Sequence, residues 1–314
     1  MSIEVSCESE DATFFPAGQD QLFGVLTSPV LHARGIALIM LAGGATLSFD
    51  VNRWPVRLCR RAAALGLHAF RFDYHGFGES AGNTERFDLA YPFVRDAQAA
   101  MDWLEGLGLN RFVLVGSCFG ARTALSAAQH RGVVAVALVS PPIRDFEMGE
   151  RSVIRLTSEL SLPAYVRRAV QPRILRGLIH GQGRRYRKIA WERLRKVGGF
   201  RSHLQAESWR SRYEVSRNFL EPLSILTQRK TPLLFIFGSD DDLLEEFDRA
   251  FPSHTGLGLR EAENVAVVEL PGEVHGFKSI AVQDAVVECL SSWIDSPIFE
   301  LTGAGGSGLE DGKA

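Results

Sequence analysis

The chain has 314 residues, 46% of them hydrophobic and 23% charged, with a formal net charge of −2. This is the composition of a globular protein, long enough for one large α/β domain with an insertion or for two domains. It holds no run of about 20 apolar residues, so no membrane-spanning helix is expected, and Met1 to Phe15 has no basic region followed by an apolar run, so no secretory leader is expected either.

Cys7, Cys59, Cys118 and Cys289 are scattered and lack metal-ligand spacing. They read as reduced thiols of a cytoplasmic protein, with no metal site and no cofactor expected. The charge is uneven. Residues 151–220 hold 17 Lys and Arg against 4 Asp and Glu, so a segment of +13 sits in a body of −15.

Val5 to Phe15 and Gln21 to Thr27 predict a β-hairpin, with Pro16 to Asp20 as its turn. Gly35 to Leu41 is a continuous apolar run, as in a strand buried on both faces, and it ends in Ala42-Gly43-Gly44. Asn52 to Leu65 predicts a helix with Trp54, Leu58 and Ala62 on one face. Leu67 to Phe72 reads as a strand followed by a polar turn, Asp73 to Ser80. A helix over Leu89 to Leu107 precedes a strand over Arg111 to Gly116, and another strand covers Val133 to Ser140. Pro141-Pro142 breaks the alternation. Residues 144–227 are helical in pattern, free of strand signals and dense in Arg. Strands resume at Pro232 to Gly238 and Val265 to Leu270, and a last helix covers Phe277 to Trp293. The tail from Thr302, rich in Gly and small polar residues, reads as disordered. Apolar strands alternating with helices imply a mostly parallel, doubly wound sheet covered on both faces.

The chemistry centres on Val113-Leu114-Val115-Gly116-Ser117-Cys118-Phe119-Gly120-Ala121, a β-branched run entering a helix-forming stretch. A nucleophile on a sharp strand-to-helix turn needs small residues two before and two after it. Gly116 and Gly120 bracket Cys118. Ser117 would be bracketed by Val115 and Phe119, whose side chains crowd the turn. The reading is therefore a thiol nucleophile, against the alternative of a buried inert cysteine between packing glycines.

Over residues 20 to 295 the chain resembles the α/β-hydrolase fold, in which nucleophile, acid and histidine follow one another. The resemblance implies an acid after the strand that follows the cap. Gly238-Ser239-Asp240-Asp241-Asp242 stands there, and the family spacing Gly-x-x-Asp selects Asp241 over Asp240 and Asp242. It implies a histidine after the last strand, where His275-Gly276-Phe277 stands. The tetrahedral oxyanion then requires two backbone N–H donors, expected from Phe119 and from Gly44 or Ala45. The run Arg71-Phe72-Asp73-Tyr74-His75-Gly76-Phe77-Gly78-Glu79-Ser80 is similar to one found in hydrolases of this family, and its glycines give His75 a turn role. Phe14-Phe15 and Leu22 to Leu26 resemble hydrolases found beside bacterial exopolysaccharide and polyketide genes. Dienelactone hydrolases and polyhydroxyalkanoate synthases also carry Gly-x-Cys-x-Gly, but Ala121 follows Gly120 here where they tend to have another Gly.

The implied domains are core residues 1–143, a basic helical cap over 144–227, core residues 228–296 and a flexible tail over 297–314. The implied activity is hydrolysis of an ester or thioester through an acyl-Cys118 intermediate, without a cofactor. An acyltransferase, an elimination enzyme or a non-catalytic ligand-binding homologue are the alternatives. The cap's arginines, Arg184, Arg185 and Arg187 among them, are a solvated face or a docking site for an acyl carrier protein or an anionic surface. The substrate is expected to be a small or carrier-bound acyl group. No nucleic-acid partner is expected, since the body is acidic and lacks a binding motif.

Overall fold

The computed structural model describes residues 9–29, 33–43, 46–82, 92–145, 215–251, 259–277 and 279–296. The chain divides into two compact units, Met1–Ile143 with Val215–Ala314, and Arg144–Glu214. Of the second unit only Arg144 and Asp145 are described. Gly44, Ala45, Cys7, Arg184, Arg185, Arg187 and the tail from residue 297 lie outside the described residues.

Eight strands form one sheet: β1 (Ser9–Ala17), β2 (Asp20–Ser28), β3 (Ala37–Leu41), β4 (His68–Phe72), β5 (Phe112–Ser117), β6 (Val133–Val139), β7 (Leu233–Gly238) and β8 (Val265–Leu270). Their order is β1-β2-β4-β3-β5-β6-β7-β8. β2 runs antiparallel to β1 and to β4, and every later pairing is parallel. All residues of β3, β5 and β7 are buried, which is why these strands are apolar without alternation.

The pleat divides the core between the two faces. Ala37, Ile39 and Leu41 meet one cluster with α2 (Val94–Gly106), α3 (Phe119–Ala127), α4 (Arg217–Gln228) and α5 (Asp242–Ala250). Leu38 and Met40 meet the other, with α1 (Trp54–Ala64) and α6 (Ile280–Ile294). β3 and β5 lie side by side where the chain reverses its direction of winding. In such sheets the crevice at the strands' C-terminal ends is the place for a site.

Three expectations are corrected. The hairpin turn is Gly18-Gln19 alone, because Pro16, Ala17 and Asp20 pair within the strands and Gly18 takes the positive φ of 67°. The first helix starts at Trp54, after Asn52 and Arg53 take left-handed φ of 53° and 57°, and the last at Ile280, after Phe277 takes 46°. The third is the end of the insertion. α4, placed in the cap by its helical, strand-free and Arg-dense context, belongs to the core unit, since Phe219, Leu223 and Leu226 are buried in the first cluster.

The chain leaves the core at Ile143 and returns at Val215, and the ends are joined by the Ser216 N–H to the Ile143 carbonyl at 2.9 Å. Fully buried Arg122 on α3 stitches the same junction. It donates to the Pro142 carbonyl at 3.2 Å and to Ser216 Oγ at 3.0 Å, and its guanidinium lies over the Phe219 ring. Hydrogen bonds from a charged group contribute about 1.5–3 kcal/mol each. Arg122→Met is therefore expected to lower unfolding stability by at least about 2 kcal/mol, read as an earlier urea midpoint. An unchanged midpoint would show that the junction holds without it.

Candidate active site

β5 delivers Cys118 onto the elbow. The residue has φ 49° and ψ −113°, and α3 begins with the next residue. This is a strained conformation for a residue with a Cβ, of the kind retained where surrounding structure enforces it. The enforcement is visible at the two glycines. A Cβ on Gly116 would meet the Gly120 carbonyl oxygen at 2.2 Å, and one on Gly120 would meet the Leu41 and Ala42 carbonyl oxygens at 2.1 and 2.4 Å. Ser117 is still strand, paired with Val139 and buried. The strained turn therefore falls at Cys118, while Ser117 remains in the strand.

His275 stands in the loop between β8 and α6. Its Nε2 lies 3.2 Å from Cys118 Sγ across 157 residues of sequence. The surrounding protein tends to push the imidazole pKa down, but the hydrogen bond and charge of the Cys118 sulfur, with Asp241 and Glu273 adding, raise it to about 9. His275 keeps an open face to water, so solvent screens part of the Coulomb attraction. The contact with sulfur sets the direction. The pair therefore favours the protonated imidazole.

Of the three aspartates, Asp241 alone is buried. Its Oδ2 accepts from the Gly238 N–H at 2.8 Å and from Ser140 Oγ at 2.7 Å, and its Oδ1 accepts from the backbone N–H of His275 at 2.8 Å. The Gly-x-x-Asp spacing has a steric cause, since a Cβ on Gly238 would meet the Gly272 carbonyl oxygen at 2.3 Å. Asp241 thus holds the histidine loop by its backbone and adds charge near the ring. Ser140 was not anticipated from sequence. It sits at the end of β6 with φ 45°, just before Pro141-Pro142, and that break is the signal that could have marked it.

The structure places Phe119, one proposed oxyanion donor, as the first residue of α3. The strand leading to the other, β3, is followed by Gly43, where a Cβ would lie 2.9 Å from the Ser117 carbonyl oxygen. Farther along that loop, buried Asp73 accepts from the Ser48 N–H at 2.6 Å, which gives the Asp73-to-Ser80 turn a role in shaping the site. His75 is engaged elsewhere, with Nδ1 2.7 Å from Asp96 Oδ1 and Nε2 3.5 Å from Asp20 Oδ2.

One group could hold a metal among the described residues: Asp102, Glu105 and His130, whose ligand atoms lie within 4.8 Å of one another. His130 Nδ1 accepts from the Gly132 N–H at 3.2 Å, which engages that nitrogen's lone pair, and Nε2 lies 3.8 Å from Glu105. Asp102 is exposed and Glu105 and His130 are half-buried, as surface polar groups commonly are.

Sheet order, elbow and switch point together define a hydrolase-type α/β enzyme. The chain belongs to the alpha/beta hydrolase family, whose model matches residues 38–277. No curated protein matches it in sequence. Solved structures share its fold at low identity. A proline iminopeptidase of Mycobacterium smegmatis is 17% identical, with TM-score 0.54 over 91% of this chain and 99% of that one. An esterase of Pyrococcus furiosus is 17% identical, with TM-score 0.54 over 93% and 95%. A dienelactone hydrolase of Anabaena variabilis is 16% identical, with TM-score 0.53 over 91% and 96%.

The other described thiols have different surroundings. Burial pushes Cys59 up to about 12, and desolvation also raises Cys289. A pKa of about 12 leaves roughly a thousandfold less thiolate than an ordinary thiol near 8.5 has. Iodoacetamide at neutral pH is therefore expected to label Cys118 before Cys59 and Cys289, as read by peptide mass spectrometry. Labelling of Cys59 first would contradict the assignment of these environments.

Proposed function

We propose that the protein hydrolyses an ester or thioester through a covalent acyl-Cys118 intermediate, with His275 as acid and base and Asp241 as its support. The observation that carries this reading is the 3.2 Å approach of His275 Nε2 to Cys118 Sγ on a strained elbow. The thiolate attacks the acyl carbonyl, and the negative charge moves onto the carbonyl oxygen. Phe119 N–H, with an N–H from Gly44 or Ala45, is assigned to that oxygen. As the tetrahedral intermediate collapses, the bond to the leaving group breaks and His275 gives that group its proton. Neutral His275 then takes a proton from water, the resulting hydroxide attacks the thioester carbon, and the acid product leaves as the thiolate is restored. No cofactor enters these steps. Asp241 holds the loop that bears the imidazole.

Acyl transfer is the second reading, and the sulfur favours it, because an acyl-cysteine is open to attack by amines and thiols as well as by water. Under either reading, the basic segment within residues 144–227 supplies a docking charge for an anionic group, such as a carrier protein or a phosphate-bearing acyl donor. No helix among the described residues is long and apolar enough to cross a membrane. A free catalytic thiol suits a reducing compartment, so we place the protein in the cytoplasm.

Cys118→Ala is expected to lower kcat on a simple thioester by about 10⁴-fold, the scale for a lost triad member, while Ser117→Ala keeps most of it. The reverse outcome would move the elbow by one residue. The pH profile gives an independent check. A histidine held protonated up to about 9 donates its proton below that pH and loses it above, so kcat/KM, which reports the free enzyme, falls on the alkaline side with a midpoint near 9. Replacing the sulfur by Cys118→Ser removes the charge that raises the imidazole, and the hydroxyl needs a neutral imidazole as base, so the limb is replaced by activity that rises with pH through a lower midpoint. A limb unmoved by the substitution would separate His275 from the sulfur.

Stopped-flow mixing with a thioester separates hydrolysis from transfer. If deacylation limits turnover, a burst of released thiol precedes a slower steady rate, and hydroxylamine speeds only the steady phase. Linear release unaffected by hydroxylamine would identify acylation as limiting and remove the case for transfer.

A further inference from the structure

α6 turns a stripe made of Gln283, Val286, Leu290 and Ile294 toward the core. Gln283 is fully buried at the end of that stripe, where the hydrophobic pattern calls for another apolar residue. A buried amide is retained only if its donors and acceptor are matched. Here they are. Oε1 accepts from Arg57 Nη2 at 2.8 Å, and Nε2 donates to the Phe277 carbonyl at 2.7 Å and to the Val51 carbonyl at 3.3 Å. With one donor on one side and two carbonyls on the other, only this amide orientation satisfies the network.

The two carbonyls belong to opposite sides of the site. Phe277 lies two residues after His275. Val51 lies in the loop that follows β3, the loop assigned the second oxyanion donor. Both segments are strained. Asp50, Asn52 and Arg53 have φ of 45°, 53° and 57°, and Phe277 has 46°. Such conformations persist where the surroundings hold them. A second contact runs beside the amide, since the Trp54 ring stacks on Phe277 at 4.3 Å and 11°, and its Nε1 donates to Asp50 Oδ2 at 3.1 Å.

We infer that Gln283 is a positioning residue that clamps the histidine loop to the segment around Val51, so that the imidazole is held against Cys118. It acts through Phe277 and Val51 and touches no reacting atom. The inference rests on the acyl-cysteine reading for its assignment of His275, and the test keeps the two apart.

Two variants are compared with the wild-type chain. Gln283→Leu removes all three bonds. Arg57→Met, at a partly exposed position, removes the donor that pins the amide oxygen together with the exposed Arg57–Asp284 ion pair, and leaves both bonds from Nε2. Two readouts are taken from each: kcat and KM on a simple thioester, and the rate of Cys118 alkylation by iodoacetamide against pH, which needs no substrate. A displacement of about 1 Å at a reacting group costs up to about 100-fold in rate. Gln283→Leu is expected to lower kcat by about 10- to 100-fold with KM changed far less, and to shift the pH dependence of alkylation as the imidazole leaves the sulfur. Arg57→Met is expected to shift both in the same direction by a smaller factor, with its melting temperature near that of the wild type. If Gln283→Leu does not fold, Arg57→Met decides. A lower melting temperature with kcat per folded molecule and the alkylation profile both unchanged would reduce Gln283 to a packing residue and overturn the inference. Failure of the wild-type chain to alkylate preferentially at Cys118 would instead overturn the thiol reading.

Discussion

A side chain can be presented at the end of a buried parallel strand only if the chain turns into a helix within one residue, and that turn leaves no room for neighbours. The Gly116 and Gly120 positions are closed to a Cβ by backbone oxygens of Gly120, Leu41 and Ala42, which cannot swing aside as a side chain could. The same closeness brings the end of β3 against the elbow, so the loop after β3 starts beside the nucleophile. The helix that begins there places its first N–H groups and the positive end of its dipole near the sulfur. Presentation of Cys118 and the packing of the sheet beneath it are therefore one constraint.

Strain gathers along the same edge. Of seven non-glycine residues with positive φ among those described, six (Asp50, Asn52, Arg53, Cys118, Ser140 and Phe277) lie in segments that follow β3, β5, β6 or β8. Several are held by a specific bond. Asp50 carries Trp54 and Ser140 bonds Asp241, while Gln283 takes the Phe277 carbonyl. The sheet beneath is packed with apolar strands that offset this cost. A rigid core that pins a strained rim is a physical route to pre-organised geometry.

A thiol suits this frame for a reason beyond its nucleophilicity. Sulfur beside an imidazole offers it a hydrogen-bond partner that favours the protonated ring, and His275 is raised accordingly. Asp241 supports the arrangement chiefly through the backbone of the histidine loop, with its carboxylate already engaged by Gly238 and Ser140. Position of the loop and charge near the ring are thus supplied by one buried group.

By itself, the sequence determined the alternation of buried strands and helices, the elbow register and the identities of Cys118, Asp241 and His275 as candidates. These rest on local rules: apolar runs for strands buried on both faces, glycine where no Cβ fits, and fixed spacing around a turn. Helix starts were misplaced where left-handed residues delayed them, at Asn52-Arg53 and Phe277, because propensity does not report a backbone held in place by distant partners. The assignment of α4 to the insertion followed its helical, strand-free and Arg-dense context, whereas the buried face of Phe219, Leu223 and Leu226 decided where it packs. Only the tertiary structure revealed that Ser140 bonds Asp241, that Asp73 holds Ser48, and that Gln283 joins segments centred on residues 51 and 277. Each is a contact between residues far apart in the chain. A hydrogen bond across such a separation depends on where the sheet carries both ends, and no local pattern encodes that meeting.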